Sequence, residues 1–481
     1  WFEFRVHSGA SGGGTEMIYL KNVYRSTAPV RALTTVTSTT SLDRFSFSPD
    51  GNRFAFTADV TTAGVDDLYL IDTAGDTVTT GTRITDHGAV SDFAWSPSSR
   101  GIALAASAGG TYRVLHVDLT EAPPVVATLV SDAGGSVSYL SWVNEDHLAY
   151  VANGQVYALR RESNGSFSEL GALALGTNPL SGMTADSAVE RLFTTRTYCV
   201  GGAGCSTSHE VVDLTDPSIP WFTVSSLSDY TADFALGFHC ASPPEVIELV
   251  PGRPQVAAFV GAYCTAQFAE SPRAVYYADG SRVRRQRFTG TSLEGDAEVV
   301  PGTYTPSLPG FLRLSPHDEW VVFTGDKAVY ASRVAGSTPT PAVLVSGEFA
   351  AGTTGLGRLE MAPTSRAFVY TGDPASPGIK RPYYVNLETD PISAPRDLVG
   401  AAGSGWIDDR YLAYSRDSAI VAYAFQASES NCLELHLVNL LEDNAVGRDP
   451  LMSYSPNGTC STAFGSLAVA SGMSLPFAFQ P

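Results

Sequence analysis

Four aspartates and one histidine lie in short polar stretches between apolar segments, and these residue types could bind a cation or a cationic ligand. They are Asp43, Asp86, His87, Asp92 and Asp132. Carboxylate oxygens suit hard cations, and imidazole is a common metal ligand. No histidine or cysteine stands at the spacing of a known metal motif, so a solvated acidic rim is the competing interpretation. We expect no tightly bound metal and no cofactor.

Residues 9–13, Gly-Ala-Ser-Gly-Gly, match the G-x-S-x-G pattern of a serine nucleophile elbow. That motif needs a buried strand before the serine and a helix after it. Here Gly14, Thr15 and another strand-like run follow instead. We therefore interpret the segment as a hairpin loop and expect no catalytic role for Ser11.

Six cysteines fall into three pairs that are close in sequence: Cys199 with Cys205, Cys240 with Cys264, and Cys432 with Cys460. Pairing within each set is the simplest disulfide arrangement, although six cysteines allow other connectivities. A metal site is the alternative, but the sequence has no CxxC motif. Because disulfides persist in oxidising compartments, we expect an extracytoplasmic protein: periplasmic, cell-surface or secreted.

The chain is acidic, with a formal net charge of −19, and charged residues make up 16% of its 481 residues. Clustered Lys and Arg supply most of the affinity for phosphate backbones, so this balance argues against a nucleic-acid partner. The one basic run, residues 282–287, alternates like a strand, and we interpret it as a solvated strand face. No apolar run is long enough to span a membrane as a helix, and a surface tether before Trp1 is the expected alternative.

A hairpin signal recurs through the sequence about every 47 residues. The clearest copy, residues 45–60, reads FSFSPDGNRFAFTADV. Two strand-like runs flank Ser-Pro-Asp-Gly, whose proline and glycine suit a tight turn. Further copies begin at Phe93, Tyr139, Phe311, Leu359 and Trp406, and weaker ones cover 183–194 and 246–260.

Two more strand-like segments follow each copy. A third segment alternates and usually ends in Asp or Asn, as at 67–72, 112–118 and 433–439. A fourth ends in Arg-Ile-Thr or Leu-Val-Ser, at 83–85 and 129–131. Four antiparallel strands per repeat predict an all-β fold, a β-propeller, whereas a β-sandwich predicts no echo at this period.

The consensus FSxSPDGxxxAF, followed by LYLxD and RxT, resembles the repeat of TolB-type propellers, which are related to WD-repeat proteins. The resemblance covers nearly the whole chain and is weakest between 177 and 300. It implies protein–protein contacts in the cell envelope. The Asp-Gly of the turn is replaced in several copies, which we expect to loosen the turn: Ser98-Ser99, Glu145-Asp146, Asp318-Glu319 and Thr364-Ser365.

The two ends of the chain are expected to share one blade. Residues 1–35 look like a blade that begins at its second strand, with 466–470 or 474–479 supplying the missing inner strand. Such pairing removes an exposed sheet edge. We therefore predict a single domain over 1–481, a propeller of eight or nine four-stranded antiparallel blades. The five polar residues described first would lie in loops at the mouth of its central channel.

One segment, residues 196–245, interrupts the repeat and is rich in Cys and Pro. We predict a disulfide-stapled insertion within a blade there. Long stapled insertions are often functional, so we predict a protein-contact surface that includes Trp221 and Phe222.

These features favour a non-catalytic, secreted or cell-surface propeller that binds protein partners or assembles with itself. The alternative is an extracellular carbohydrate-active enzyme with an acidic site in the central channel. Two carboxylates about 5 to 10 Å apart in a deep pocket would favour the enzyme.

Overall fold

A computed structural model gives the structure of the protein and describes residues 2–8, 15–21, 31–36, 44–62, 64–73, 81–173, 180–186, 191–200, 204–214, 222–225, 227–231, 236–239, 244–249, 255–259, 266–271, 273–279, 282–302, 304, 312–325, 328–336, 338–346, 349, 356–373, 380–399, 405–415, 417–427, 433–440, 452–453 and 464–469. The chain divides into two compact units. Unit 1 comprises Trp1–Ser225, Pro251–Arg253 and Ala463–Pro481, and unit 2 comprises Ser226–Val250 and Pro254–Thr462. The described residues form β-strands and their connections, without a helix. Accordingly, none of them belongs to a helix long and apolar enough to cross a membrane.

Unit 1 holds twenty strands among its described residues. They are β1 Phe2–Ser8, β2 Thr15–Lys21, β3 Arg31–Val36, β4 Phe45–Phe47, β5 Arg53–Thr62, β6 Val65–Asp72, β7 Thr82–Arg83, β8 Ala89–Trp95, β9 Gly101–Ala108, β10 Thr111–Asp118, β11 Val125–Val130, β12 Val137–Trp142, β13 His147–Ala152, β14 Gln155–Arg161, β15 Phe167–Leu173, β16 Leu180–Asp186, β17 Arg191–Val200, β18 Gly204–Asp213, β19 Phe222–Ser225 and β40 Phe464–Val469.

Unit 2 holds the other twenty described strands. They are β20 Leu227–Tyr230, β21 Leu236–His239, β22 Glu245–Glu248, β23 Gln255–Phe259, β24 Ala266–Glu270, β25 Arg273–Ala278, β26 Val283–Thr289, β27 Ser292–Val299, β28 Leu312–Leu314, β29 Trp320–Gly325, β30 Ala328–Arg333, β31 Val343–Leu344, β32 Leu359–Met361, β33 Ala367–Gly372, β34 Arg381–Asn386, β35 Arg396–Asp397, β36 Gly405–Tyr414, β37 Ile420–Ala427, β38 Leu433–Asn439 and β39 Met452–Ser453.

These strands form ten four-stranded antiparallel sheets over the described residues, five in each unit. We number the sheets in chain order, so that sheet 2 holds β4–β7, sheet 3 holds β8–β11, and sheet 10 holds β36–β39. In sheets 2 to 10 neighbouring strands follow one another in the chain. Sheet 1 differs, because β40 pairs with β1 beside β2 and β3. The predicted pairing of the chain's two ends, through the 466–470 candidate, is thus confirmed, whereas closure of the sheets into a ring stays a prediction.

Five of the six strong repeat copies mark the first two strands of a sheet, as with β4–β5 and β8–β9. The copy at Trp406 instead falls within the first strand of sheet 10, β36, and the hairpin turn of that sheet follows at Ser415–Ser418. The weak region is organised differently from the prediction. The segment 246–260 contains the third and fourth strands of sheet 6, β22 and β23, and a complete sheet 7 follows it. Sheet 7 escaped recognition because its first hairpin has only Ser271 and Pro272 between the paired Glu270 and Arg273. The described residues therefore form ten sheets, where the repeat indicated eight or nine blades.

The predicted insertion, residues 196–245, contains parts of two regular sheets. β17 continues to Val200 and pairs with β18 in sheet 5, and β20 and β21 open sheet 6. The register places Cys199 directly opposite Cys205. The other four cysteines lie outside the described residues, as do Ser11 and the 474–479 candidate, and the three disulfides stay predictions.

The apolar core lies between consecutive sheets within each unit. Alternate strand residues point to opposite faces, so each sheet presents one apolar set to the sheet before it and another to the sheet after it. One cluster joins Leu68 of sheet 2 with Leu104 of sheet 3, and another joins Ala105 of sheet 3 with Tyr150 of sheet 4. Burial on both faces explains the almost continuous apolar runs in second strands such as β9 and β13.

The Ser-Pro-Asp-Gly turn closes the first hairpin of sheet 2 through its own side chains. The amide of Gly51 donates to the carbonyl of Ser48 at 2.8 Å, and Gly51 has a φ of 72°. The buried Ser48 hydroxyl donates to Asp50 Oδ1 at 2.5 Å and accepts the amide of Arg53 at 3.0 Å. Serine and aspartate are used here because their short polar side chains can satisfy turn amides and hydroxyls locally.

The same turn also binds the corresponding turn of the next sheet. In sheets 2, 3, 8, 9 and 10 the fourth turn residue has a positive φ: Gly51, Ser99, Asp318, Ser365 and Ser418. Where that residue is serine, its hydroxyl accepts a backbone amide from the preceding sheet. The bonds run from Asp50 to Ser99 at 3.0 Å, from His317 to Ser365 at 2.8 Å, and from Thr364 to Ser418 at 3.0 Å.

Carboxylates make the equivalent bond where serine is absent. Asp318 Oδ2 accepts the amides of Glu270 and Ser271 at 2.6 and 2.9 Å, and Glu145 Oε1 accepts the amide of Ser98 at 2.6 Å. We call these bonds the turn series. The prediction that loss of Asp-Gly loosens the turns is wrong for sheets 3, 8 and 9, because the amide of the fourth turn residue still donates to the carbonyl of the first at 2.8 to 2.9 Å, as it does at Gly51. The replacing residues also connect one sheet to the next. The equivalent of Asp-Gly in sheet 8 is also His317-Asp318, one residue earlier than the sequence comparison placed it.

Candidate functional site

The predicted loop residues Asp86 and His87 lie between β7 and β8 in unit 1. His87 Nδ1 is 3.1 Å from Asp86 Oδ1, and 78% of the aspartate side chain is exposed. Gly88 fixes this loop, because its φ is 104° and a Cβ there would lie 2.2 Å from the carbonyl oxygen of Ser107. The pair is therefore held on the surface by a glycine that no other residue could replace without moving the backbone.

Asp92 lies inside strand β8 rather than in the loop before it, and it is almost fully buried. Its carboxylate is 2.7 Å from Arg44 Nη1, and it accepts the amides of Phe93 at 2.8 Å and Leu140 at 3.1 Å. A register shift between Val90 and Asp92 marks a bulge in this strand. Asp92 thus links three consecutive sheets: sheet 2 through Arg44, its own sheet 3, and sheet 4 through Leu140.

Burial raises the pKa of the Asp92 carboxyl above its ordinary value of 3.8, although the charge of Arg44 and the backbone amides act in the opposite direction. A raised carboxyl pKa can indicate a functional acid, but networks that hold a structure together produce the same shift. The carboxylate of Asp92 already accepts an ion pair and two amides, so the geometry assigns it to structure.

Asp132 lies in the exposed connection between β11 and β12, where its Oδ1 accepts the amide of Gly134 at 2.9 Å. Asp43 lies outside the described residues. The described part of the chain contains no group of three or more His, Cys, Asp or Glu side chains that could hold a metal ion. Binding of a ligand by the other four residues, Asp43, Asp86, His87 and Asp132, stays a prediction.

Two histidines at equivalent positions of third strands pack against aromatic rings. His116 of β10 meets Trp142 edge-on at 5.7 Å, and burial lowers its pKa. His436 of β38 stacks on Tyr423 at 5.4 Å with an interplanar angle of 7°. Both imidazoles therefore serve as part of the packing between strands.

The basic run 282–287 has specific partners. Arg285 is 0% exposed, and its Nε donates to Glu298 at 3.0 Å. Arg287 is 2.6 Å from the other oxygen of Glu298, and Arg282 donates to the carbonyl of Tyr304 at 2.8 Å. The interpretation as a solvated strand face is therefore wrong for Arg285. Sequence alternation could not reveal this, because the neutralising carboxylate lies on the next strand, β27.

Fourth strands carry the exposed apolar side chains of the described structure. The large hydrophobic residues exposed there are Val125 on β11, Leu293 and Val299 on β27, and Val343 and Leu344 on β31, with exposures between 40% and 53%. Each of these strands is an edge of its sheet. Exposed apolar side chains on a sheet edge are typical of a surface that contacts another protein. Sequence analysis recognised a fourth segment at 129–131 but missed these exposed residues, because exposure depends on what packs against an edge strand and the pattern of residue types does not show this.

The predicted contact residues in the cysteine-rich segment are only partly described. Phe222 begins β19 and pairs with Val211 of β18, and Trp221 lies outside the described residues. A contact surface there stays a prediction.

No protein-family model matches the sequence. No curated protein matches it either. Solved structures give weak matches. A protein described as TolB from Agrobacterium tumefaciens is 14% identical over 47% of this chain and 82% of its own, with a TM-score of 0.32. Dipeptidyl peptidase 4 from Porphyromonas gingivalis is 11% identical over 86% of this chain and 59% of its own, with a TM-score of 0.45.

A eukaryotic initiation factor is 13% identical, over 82% of this chain and 95% of its own, with a TM-score of 0.43. A peptidase and an initiation factor thus stand side by side among the similar structures. At such identities and TM-scores the likeness decides neither function nor partner.

Proposed function

We propose that the chain forms a single β-propeller, with sheet 1 joining its two ends, and that it acts outside the cytoplasm as a non-catalytic protein-binding or scaffold module. The observation that carries this proposal is the position of the exposed apolar side chains on fourth strands β11, β27 and β31. A partner that covered these edges would remove apolar area from water and satisfy unpaired backbone groups together.

The ion pairs and hydrogen bonds of the described carboxylates support the same proposal. Asp92 and Glu298 neutralise arginines, and Asp318 and Glu145 bind backbone amides of neighbouring turns. A carboxylate that already accepts several bonds in the resting protein is poorly suited to abstract a proton from a substrate.

Placement outside the cytoplasm rests on the cysteines. Cys199 and Cys205 are direct partners in an antiparallel pair. Such pairs have Cα separations of about 4.5 to 5.5 Å, which lie within the range that a disulfide spans. Peptide mapping without reductant should recover residues 199 and 205 in one cross-linked fragment. Alkylation of both as free thiols would remove the support for an oxidising compartment.

The function is tested by mild cross-linking in the native source, followed by purification and mass spectrometry. A partner present in stoichiometric amount, or many copies of the chain, supports a binding or scaffold module. A lone monomer that cleaves a glycan would overturn the proposal in favour of an extracellular carbohydrate-active enzyme.

A further inference from the structure

Strand β11 is an edge strand without a charged residue. It is the fourth strand of sheet 3 and reads Val-Val-Ala-Thr-Leu-Val. Val125 is 53% exposed, and Ala127 and Thr128 are exposed as well. A strand in this position presents a row of unpaired N–H and C=O groups, which can pair with a further strand.

The other described fourth strands of six or more residues contain charges that discourage such pairing. β3 begins with Arg31, β15 contains Glu169, and β27 contains Glu294, Asp296 and Glu298. Charged side chains on edge strands are a common protection against unwanted strand addition. β11 lacks this protection, although its β-branched composition strongly favours pairing.

The faces of β11 are covered, so its edge is held in place. Val126 packs against the apolar cluster between sheets 2 and 3, and Leu129 and Val130 pack against the cluster between sheets 3 and 4. An added strand would meet an edge that is already ordered, which lowers the entropy cost of binding.

Carboxylates flank the edge at both ends. Glu121 precedes β11 and Asp132 follows it, and both are exposed. No Lys or Arg occurs from Val114 to Leu159. An antiparallel pair of two copies of β11 would bring the Glu121 end of each copy towards the Asp132 end of the other, which places like charges together.

We propose that β11 binds an extended segment of a partner protein by strand addition, and that this segment has an uncharged β-forming centre with Lys or Arg at both ends. Backbone hydrogen bonds would supply affinity, while the flanking carboxylates would select the basic ends. This inference rests on the proposed protein-binding function and names one surface for it.

The test uses the full chain and a fluorescent peptide with a centre of alternating threonine and valine and paired lysines at each end. We expect it to bind, to bind more weakly as salt rises, and to protect the amides of Val125–Val130 from hydrogen exchange. A peptide with the same centre and paired glutamates should bind at least about tenfold more weakly.

Two matched variants locate the binding. Val125→Lys places a cation on the exposed edge and should weaken binding of the lysine peptide about tenfold or more. Leu293→Lys makes the same change on the fourth strand of sheet 7 and should leave that binding unchanged. Circular dichroism and the urea midpoint establish that both variants fold like the original chain.

Several results would overturn the inference. Absence of peptide binding, equal binding of the glutamate peptide, or protection outside Val125–Val130 would each exclude it. Dimerisation that Val125→Lys abolishes would show that a second copy is the occupant instead. In each case the cross-linking experiment still decides the broader proposal, because a partner could cover β27 or β31.

Discussion

Replacing Ser365 by alanine removes one acceptor of the turn series. It keeps a Cβ at a positive φ, where a side chain is unfavourable. Ser365 has a φ of 61° and is fully buried, and its hydroxyl accepts the amide of His317 at 2.8 Å. A hydrogen bond of this kind contributes about 1 kcal/mol. A side chain at positive φ costs about 1–2 kcal/mol, which glycine avoids.

Two substitutions therefore separate the contribution of the hydrogen bond from the cost of a side chain at positive φ. Ser365→Ala loses the bond and keeps the backbone cost, so it should lower the free energy of unfolding by about 1 kcal/mol. Ser365→Gly loses the same bond but relieves the backbone, so its stability should lie about 1 kcal/mol above that of the alanine variant. Both should speed hydrogen exchange of the His317 amide about fivefold.

The measurement combines urea unfolding with hydrogen exchange of residues 315–319. Ser418→Ala is a matched control, because it should expose the Thr364 amide and leave that of His317 unchanged. Gly51→Ala measures the backbone cost alone, since a Cβ there meets no atom within 4 Å. Unchanged exchange at His317 in both Ser365 variants, or equal stability of the two, would refute the reasoning.

Three further predictions concern buried charges and one histidine. Because the pKa of Asp92 is raised on folding, the contribution of this carboxyl to stability is fully present below pH 3.8 and is lost as pH rises through the folded pKa. Arg44→Gln removes a nearby positive charge and should raise the pKa of Asp92 further, which a carbon-13 titration of the carboxyl group would measure. Burial lowers the pKa of His209 from 6.5 to about 4, so the contribution of this histidine to stability is present above pH 6.5 and is lost as pH falls towards 4. In His209→Gln, the free energy of unfolding should therefore depend less on pH between 6.5 and 4. Arg285→Met should destabilise the chain by about 3 kcal/mol, whereas Arg287→Met, at a site 30% exposed, should cost less than about 1 kcal/mol in the same urea titration.

Much of the fold follows from the sequence because local turn chemistry and strand alternation coincide. Ser-Pro-Asp-Gly at 48–51 specifies both the hairpin and its register, and the spacing to the next copy specifies the four-stranded unit. Prediction from the sequence failed where strand alternation is not accompanied by a recognisable turn motif. In sheet 7 only two residues separate the paired Glu270 and Arg273, so no recognisable signal marks the hairpin.

The candidate site was less predictable, because its residues are defined by neighbours distant in sequence. Asp92 was recognised as a notable carboxylate, but its burial depends on Arg44 and on the amide of Leu140 in other sheets. The exposure of Val125 on β11 likewise depends on what packs against this edge strand, which the pattern Val-Val-Ala-Thr-Leu-Val does not reveal.

The turn series has a direction: in each bond the amide belongs to the earlier sheet and the acceptor to the later one. Sheet 9 shows both halves, because Ser365 accepts from sheet 8 and Thr364 donates to sheet 10. A gene segment that encodes one such sheet therefore encodes both an acceptor for the preceding turn and an amide donor for the following turn. Tandem duplication of that segment would lengthen the array without new contacts having to evolve, which offers a simple route by which such a chain acquires its many sheets.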